Sequence, residues 1–108
     1  MQIRKTYKEV NPELLNAEIK DFILKRDTIL GENKMETYSL PNDSSTFITR
    51  STMSFKMKDK ECIRVHLVGS IRTETKLMLD IDEVCFPKDK LSALQADLDF
   101  IFGSYEVK

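Results

Sequence analysis

The 108-residue chain carries 17 basic and 18 acidic side chains and one histidine, so its formal net charge is −1. This balance argues against binding of nucleic acid or an anionic membrane over the whole surface. The length predicts a single domain, residues 1–108, with one modest core. No apolar run is long enough to cross a bilayer, and the N-terminus lacks the apolar stretch of a secretory signal, so we predict a cytoplasmic protein.

The N-terminal third predicts one helix. Residues 1–10 show no firm period and are predicted to form an extended arm or a weak edge strand. Asn11 suits the N-cap of a helix and Pro12 its first turn. The helix is predicted to end within residues 26–30, with Gly31 as a left-handed cap. Its buried stripe is predicted from apolar residues at helical spacing: Leu15, Ile19, Phe22, Ile23 and Ile29.

Alternating segments over residues 46–58, 60–71 and 75–82 predict three strands, and residues 35–40 are consistent with a further short strand. The apolar positions predicted to face the core are Phe47, Met53, Phe55, Met57, Ile63, Val65, Leu67, Ile71, Leu77, Leu79 and Ile81. A second helix is predicted to start at residues 86–87 and to stop at Gly103. Its buried stripe is Leu91, Leu94, Leu98, Ile101 and Phe102.

These elements predict an α+β fold in two layers. An N-terminal and a C-terminal helix, each with one apolar stripe, are expected to pack on one face of an antiparallel sheet. The sheet is expected to contain three to four strands. Because two helices cover only one side, the other side is predicted to be a charged outer face.

Strand pairing is predicted from the rule that directly opposed residues point to the same side of a sheet. A three-residue loop at 72–74 places His66 opposite Asp80 and Arg64 opposite Asp82. Each of these opposite-charge pairs is worth about 0.2–1 kcal/mol. Moving the register by two residues would place two basic side chains, Arg72 and Lys76, opposite each other, so the first register is preferred.

The outer face of the predicted sheet combines charges with an apolar band. A turn at residues 59–61 sets Thr52 opposite Val68, and Met78 continues the band. Such a combination is typical of a recognition surface. The candidate binding residues on this face are Arg50, Thr52, Arg64, His66, Val68, Arg72, Met78, Asp80 and Asp82.

The two cysteines, Cys62 and Cys85, are predicted to be reduced thiols, because disulfides are rare in the cytoplasm. They form no Cys-x-x-Cys motif, and one histidine cannot complete a typical structural zinc site. The carboxylates of Asp80, Asp82 and Glu83 invite a metal interpretation, but basic neighbours are expected to neutralise them. We therefore expect neither a metal nor a cofactor.

Three functions fit this pattern. The leading hypothesis is a non-enzymatic binding module, either a homodimer or the partner of another protein, because a two-fold axis would bring basic residues onto acidic ones. The runner-up is nucleic-acid or phosphate-ligand binding by the basic residues of the outer face. The third is a small enzyme using His66 and Asp80, with Ser54 as nucleophile but no evident oxyanion hole. Gly69 is predicted to mark a bulge or a close contact, not a phosphate loop.

Overall fold

The computed structural model describes residues 1–107 of the chain, apart from the side chain of Ser44. The elements follow in the order β1 (Gln2–Lys8), α1 (Pro12–Leu24), β2 (Ile29–Leu40), β3 (Asp43–Met57), β4 (Lys60–Gly69), β5 (Glu74–Ile81) and α2 (Lys88–Phe102), with a 3₁₀ turn at Gly103–Tyr105. The five strands form one antiparallel sheet in the order β1-β5-β4-β3-β2. The α+β class is confirmed, but the predicted number of strands is too low. Within residues 1–107, neither helix is long and apolar enough to span a membrane.

Alternation along the inner strands separates a buried side of the sheet from an open one. Phe47 and Ile71 were expected to be buried, but they are 56% and 62% exposed. Each fully buried apolar side chain contributes roughly 1.5–3 kcal/mol. The residues that fill the core from the sheet and from both helices include Met53, Phe55, Ile63, Val65, Leu67, Leu77, Leu79, Ile81, Leu15, Ile19, Ile23, Leu94 and Leu98.

Of the two predicted forms of residues 1–10, an extended arm or a weak edge strand, the structure contains the edge strand, β1. Ile3 and Tyr7 are buried in the core. Lys5, between them, lies on the same side, and its Nζ contacts carboxylate oxygens of Asp99 at 2.8 Å and Glu106 at 3.2 Å. The hydrogen bond to Asp99 is the main reason that the pKa of Lys5 is raised. A lysine on the core side interrupts the apolar alternation, which explains why the strand was hard to recognise.

α1 ends earlier than predicted, at Leu24. The hydroxyl of Thr28 donates a hydrogen bond to the carbonyl oxygen of Ile23 at 2.8 Å, which occupies an acceptor at the end of the helix. The chain then enters β2 at Ile29, which is 70% exposed and does not belong to the helical stripe. Gly31 lies inside β2 and is not a helix cap.

β2 is far longer than the short strand predicted at residues 35–40, with 12 residues in all. Each of its side chains is exposed or half-buried. Burial therefore leaves no period of two in this part of the sequence. The strand is specified by its pairing with β3, which the sequence alone does not show.

α2 begins directly after Pro87 and ends at Phe102, next to the predicted stop at Gly103. Gly103 has a right-handed φ of −62°, so it is not the left-handed cap that such a position often holds. Ile101 was expected to face the core but is 50% exposed. The turn after α1 is joined to α2 by an ion pair between Arg26 and Asp97 at 2.6 Å.

β3 and β4 are joined by a two-residue turn at Lys58 and Asp59. Both residues have positive φ, 50° and 68°. A turn of this kind matches the twist of the flanking strands. Together with a bulge further along the pair, it sets Thr52 opposite His66. The turn predicted at 59–61 starts one residue too late, and the predicted pairing of Thr52 with Val68 is wrong by two positions.

Gly69 permits the observed alignment of β4 with β5. It lies opposite Thr75, and a Cβ added at position 69 would be only 2.6 Å from the Cα of Thr75. The strands approach this closely only because glycine has no side chain. The connecting loop covers residues 70–73, and the Thr73 amide donates to the carbonyl of Ser70 at 3.2 Å. The sequence predicts a bulge at Gly69 or a close contact with a helix above it, whereas the observed close contact is with the neighbouring strand β5.

The observed alignment moves every predicted pair between β4 and β5 by two residues. His66 opposes Met78, and Arg64 opposes Asp80. The predicted pairs His66–Asp80 and Arg64–Asp82 are therefore wrong. A shift of two residues leaves each side chain on its own face of the sheet, so the division into core and outer residues still holds.

Cys62 and Cys85 form a disulfide, with their Cα atoms 5.9 Å apart. The bond joins the start of β4 to the turn after β5. This contact follows from strand pairing, because the amide of Asp82 donates to the carbonyl of Cys62 at 2.8 Å. The prediction of reduced thiols is wrong, since cysteine spacing alone does not reveal which strands align. A disulfide is typical of oxidising compartments, so cysteine content no longer favours the cytoplasm.

We expect replacement of both Cys62 and Cys85 by alanine to lower the free energy of unfolding by about 3 kcal/mol. The reason is that the disulfide closes a loop and thereby reduces the conformational entropy of the unfolded chain. Urea unfolding of the oxidised protein and the double variant measures the difference. Dithiothreitol should destabilise the wild type to a similar degree and leave the variant unchanged. Equal stability of all samples would contradict the proposed cross-link.

Gly69→Ala is expected to lower the free energy of unfolding by about 1–3 kcal/mol, because the new methyl group overlaps Thr75. Gly103→Ala is the matched control: no atom lies within 4 Å of an added Cβ there. With its helical φ, the control should change stability by no more than about 1 kcal/mol. Chemical denaturation of the two variants tests the close contact directly, and equal effects would argue against it.

Candidate binding surface

The outer face of the sheet, opposite the helices, presents two central rows of side chains that cross all five strands. The first row, from β1 to β2, consists of Arg4, Met78, His66, Thr52 and Lys34. The second row consists of Thr6, Lys76, Val68, Arg50 and Glu36. Apolar side chains thus lie at the centre of the face with basic ones around them.

An open groove of about 660 Å³ crosses this face where β1, β5 and β4 adjoin. Val68 and Met78 supply its apolar lining, and Arg4 and Lys76 supply positive charge. The imidazole ring of His66 also lines the groove. Val68 is 37% exposed, while Met78 and His66 are half-buried. The groove therefore offers a partner both apolar contact and two cations.

Three basic residues of the two rows have no acidic partner. Arg4, Arg50 and Lys76 form no ion pair within residues 1–107. The guanidinium of Arg4 does donate a hydrogen bond to the amide oxygen of Gln2 at 3.1 Å, which leaves its charge uncompensated. Arg4 and Lys76 are available to an anionic partner, whereas Arg50 lies directly opposite Glu36 of β2.

Arg64 differs from these three cations because it is already neutralised. Its guanidinium contacts Glu61 at 2.8 Å and Glu32 at 3.5 Å. The hydrogen bond from Arg64 to Glu61 is the main reason that the pKa of Arg64 is raised. Asp80, directly opposite Arg64 on β5, is exposed at the margin of the groove.

The catalytic row proposed from the sequence is absent from the described part of the chain. Ser54 is buried, and its hydroxyl accepts a hydrogen bond from the backbone N–H of Glu32 at 2.7 Å. His66 has Thr52 beside it, with Nδ1 3.5 Å from the hydroxyl oxygen. Asp80 lies opposite Arg64, not opposite His66. The geometry therefore does not align Ser54, His66 and Asp80.

Asp82 and Arg72 do not belong to the groove. Asp82 lies beyond the end of β5, where its carboxylate accepts a hydrogen bond from the Val84 amide at 2.9 Å and contacts Lys60 at 3.1 Å. The Val84 amide, followed by Lys60, lowers the pKa of Asp82. Arg72 is exposed in the loop at 70–73.

Within residues 1–107, His, Cys, Asp and Glu side chains form no cluster of three that could hold a metal ion.

The structure therefore divides the nine candidate residues into three groups. Arg64 and Asp80 lie in the row next to the groove, and Asp82 and Arg72 lie off the face. The remaining candidates occupy the two central rows: Arg50, Thr52, His66, Val68 and Met78.

Sequence reasoning missed the contribution of the two outer strands to this face. Arg4 and Thr6 come from β1, and Lys34 comes from β2. A signal for β1 existed in the sequence, because Arg4 and Thr6 alternate with the buried Ile3 and Tyr7. No equivalent signal exists for Lys34, since no side chain of β2 is buried.

Comparison of the chain with protein-family models, with curated proteins and with solved structures gives no match. Function is therefore inferred from the chemistry of the outer face. The arrangement of that face, an apolar centre with uncompensated cations beside it, resembles the make-up of recognition surfaces more than that of enclosed catalytic sites.

We expect Lys60→Met to raise the pKa of Asp82, because the ion pair favours the charged carboxylate. Arg64→Met is the matched control and should leave the pKa of Asp82 unchanged, since Arg64 contacts other carboxylates. Carbon-detected NMR titration of the Asp82 carboxyl measures both effects. The depressed pKa contributes stability that is present above the ordinary value of 3.8 and lost as pH falls below it. The opposite result, a response to Arg64 only, would restore the pairing predicted from sequence.

Proposed function

We propose that the chain is a binding module whose outer face recognises a partner protein, through an apolar side chain flanked by carboxylates. The observation that carries the proposal is the groove lined by Val68 and Met78 with Arg4 and Lys76 beside it. Both helices pack on the other side of the sheet, so no element of residues 1–107 covers this groove.

The apolar part of the groove supports a protein partner in particular. Val68 and Met78 are adjacent in neighbouring rows, and methionine adapts its shape to different side chains. An apolar side chain of the partner placed there as an anchor would remove Val68 and Met78 from water. The loss of conformational entropy would be small, because the sheet already holds both residues in place. The anchor would supply the affinity, and the surrounding charges would supply orientation.

The charges favour an acidic partner. Arg4 and Lys76 are on the same side of β1 and β5 and have no acidic partner within residues 1–107. Carboxylates near them would gain charge-assisted hydrogen bonds without displacing an existing ion pair. A basic partner would be repelled, so the groove discriminates by charge as well as by shape.

The disulfide bears on where this binding takes place. A bond between Cys62 and Cys85 persists most readily outside the reducing cytoplasm. We therefore place the proposed binding in an oxidising compartment, in contrast to the cytoplasmic location expected from the sequence.

Selection of random displayed peptides on the immobilised protein tests this function. The enriched peptides are expected to carry an apolar residue flanked by Asp or Glu. A synthetic peptide of that consensus should bind about tenfold or more weakly to Val68→Asp and to Lys76→Glu, because one change makes the groove polar and the other reverses its charge.

Val84→Asp is the matched control for the change at Val68, because Val84 is 82% exposed and lies beyond the sheet. The control should bind the peptide as the wild type does. Absence of enrichment, or a consensus peptide that binds Val68→Asp with unchanged affinity, would exclude the groove as the recognition site.

The same cations support nucleic-acid phosphates as a second candidate ligand. The charges involved would be Arg4, Arg50 and Lys76, in place of Arg64, which is already paired, and Arg72, which lies in a loop. Binding of a single-stranded oligonucleotide should then weaken with salt and with Lys76→Glu, while Val68→Ala has little effect. For a protein partner, both Val68 and Lys76 matter.

A further inference from the structure

The two edges of the sheet differ in how far they are protected. β1 is partly covered by the chain that follows α2: Tyr7 forms a bridge with Glu106, and the Val107 amide donates to the carbonyl of Thr6 at 2.7 Å. β2 is the opposite edge, with β3 on one side and no strand of residues 1–107 on the other. Its outward backbone groups form a template for a further strand.

We propose that β2 pairs with β2 of a second copy of the chain, antiparallel and about a two-fold axis at Met35. Directly opposed residues must then have the same parity, because the axis is perpendicular to the sheet and keeps each face on its own side. This register places Lys34 opposite Glu36 of the second copy, and Glu36 opposite Lys34. The symmetry therefore yields two opposite-charge pairs from one strand sequence.

Neighbouring registers are less favourable. Moving the axis by one residue places Lys34 opposite Lys34, or Glu36 opposite Glu36, and like charges directly opposed destabilise a sheet. Moving it to Asn33 places Lys34 opposite Glu32 of the second copy, but it also centres the pairing on the irregular stretch of β2 between Leu30 and Asn33, where pairing with β3 is interrupted. The charge pattern and the regular part of β2 together select the axis at Met35.

The side chains concerned are accessible. Lys34 contacts Glu32 at 3.3 Å along its own strand, yet its side chain is 78% exposed. Met35 is 48% exposed. Glu36 lies beside Arg50 of β3, so the outer face would continue across the dimer as alternating charges from Arg50 to Glu36 to Lys34 of the second copy.

The difference between the edges also explains why the assembly would close at two copies. Pairing of β2 with β1 of another copy would build an open filament, but residues 106–107 obstruct β1. Pairing of β2 with β2 of the second copy leaves neither copy with an open β2 edge. This dimer leaves the outer groove uncovered, so it is independent of the proposed partner binding.

Analytical ultracentrifugation over a concentration series tests the proposal. The wild type should form a dimer, and Lys34→Glu or Glu36→Lys alone should raise its dissociation constant about tenfold or more, because each creates two like-charge pairs. The double variant carrying both substitutions should recover the wild-type affinity. Lys90→Glu, an exposed charge reversal on α2, is the matched control and should have no effect.

Cysteine substitution provides a second readout that does not depend on charge. Met35→Cys should form a covalent dimer on mild oxidation, because the two copies of residue 35 meet at the axis. Asn33→Cys should not, since its two copies would be separated by about 14 Å along the strands. A monomeric wild type, a dimer lost only in Val68→Asp, or growth beyond two copies would each overturn the proposal.

Discussion

The approach of Gly69 to Thr75 is so close that a side chain at position 69 would overlap the backbone of β5. The observed alignment of β4 with β5, on which β1 pairs in turn, therefore requires glycine at position 69. The groove depends on that alignment, because Val68 and Lys76 become direct neighbours only when Gly69 opposes Thr75. The absence of a side chain at position 69 is thus a requirement for this arrangement of the outer face.

Charge is distributed unequally between the two sides of the sheet. On the helix side, Lys5 contacts Asp99 and Glu106, and Arg26 contacts Asp97. Those pairs join elements that are distant in sequence. On the outer face, Arg4 and Lys76 line the apolar groove and form no ion pair within residues 1–107. A net charge of −1 for the whole chain therefore did not indicate how charge is distributed over this surface.

The buried inner strands and the start of α1 could be predicted from sequence for a clear physical reason. Burial on one side imposes a period of two on β3, β4 and β5, and Asn11 accepts hydrogen bonds from the amides of residues 13 and 14 as an N-cap does. β2 could not be predicted to its full length, because an edge strand with no buried side chain has no such period. The disulfide was missed because it depends on which residues of β4 and β5 are aligned.

The sequence by itself determined the fold class and assigned most strand residues to the core or to the outer face, because burial of apolar side chains acts on each strand separately. Tertiary structure decided which residues of neighbouring strands are opposed. Two local features of the backbone accompany the observed registers. The turn between β3 and β4 has positive φ at Lys58 and Asp59, and Gly69 of β4 lies in close contact with β5. The attraction between opposite charges such as Arg64 and Asp82 is too weak to select a register by itself, whereas turn geometry and close backbone contact constrain the alignment directly.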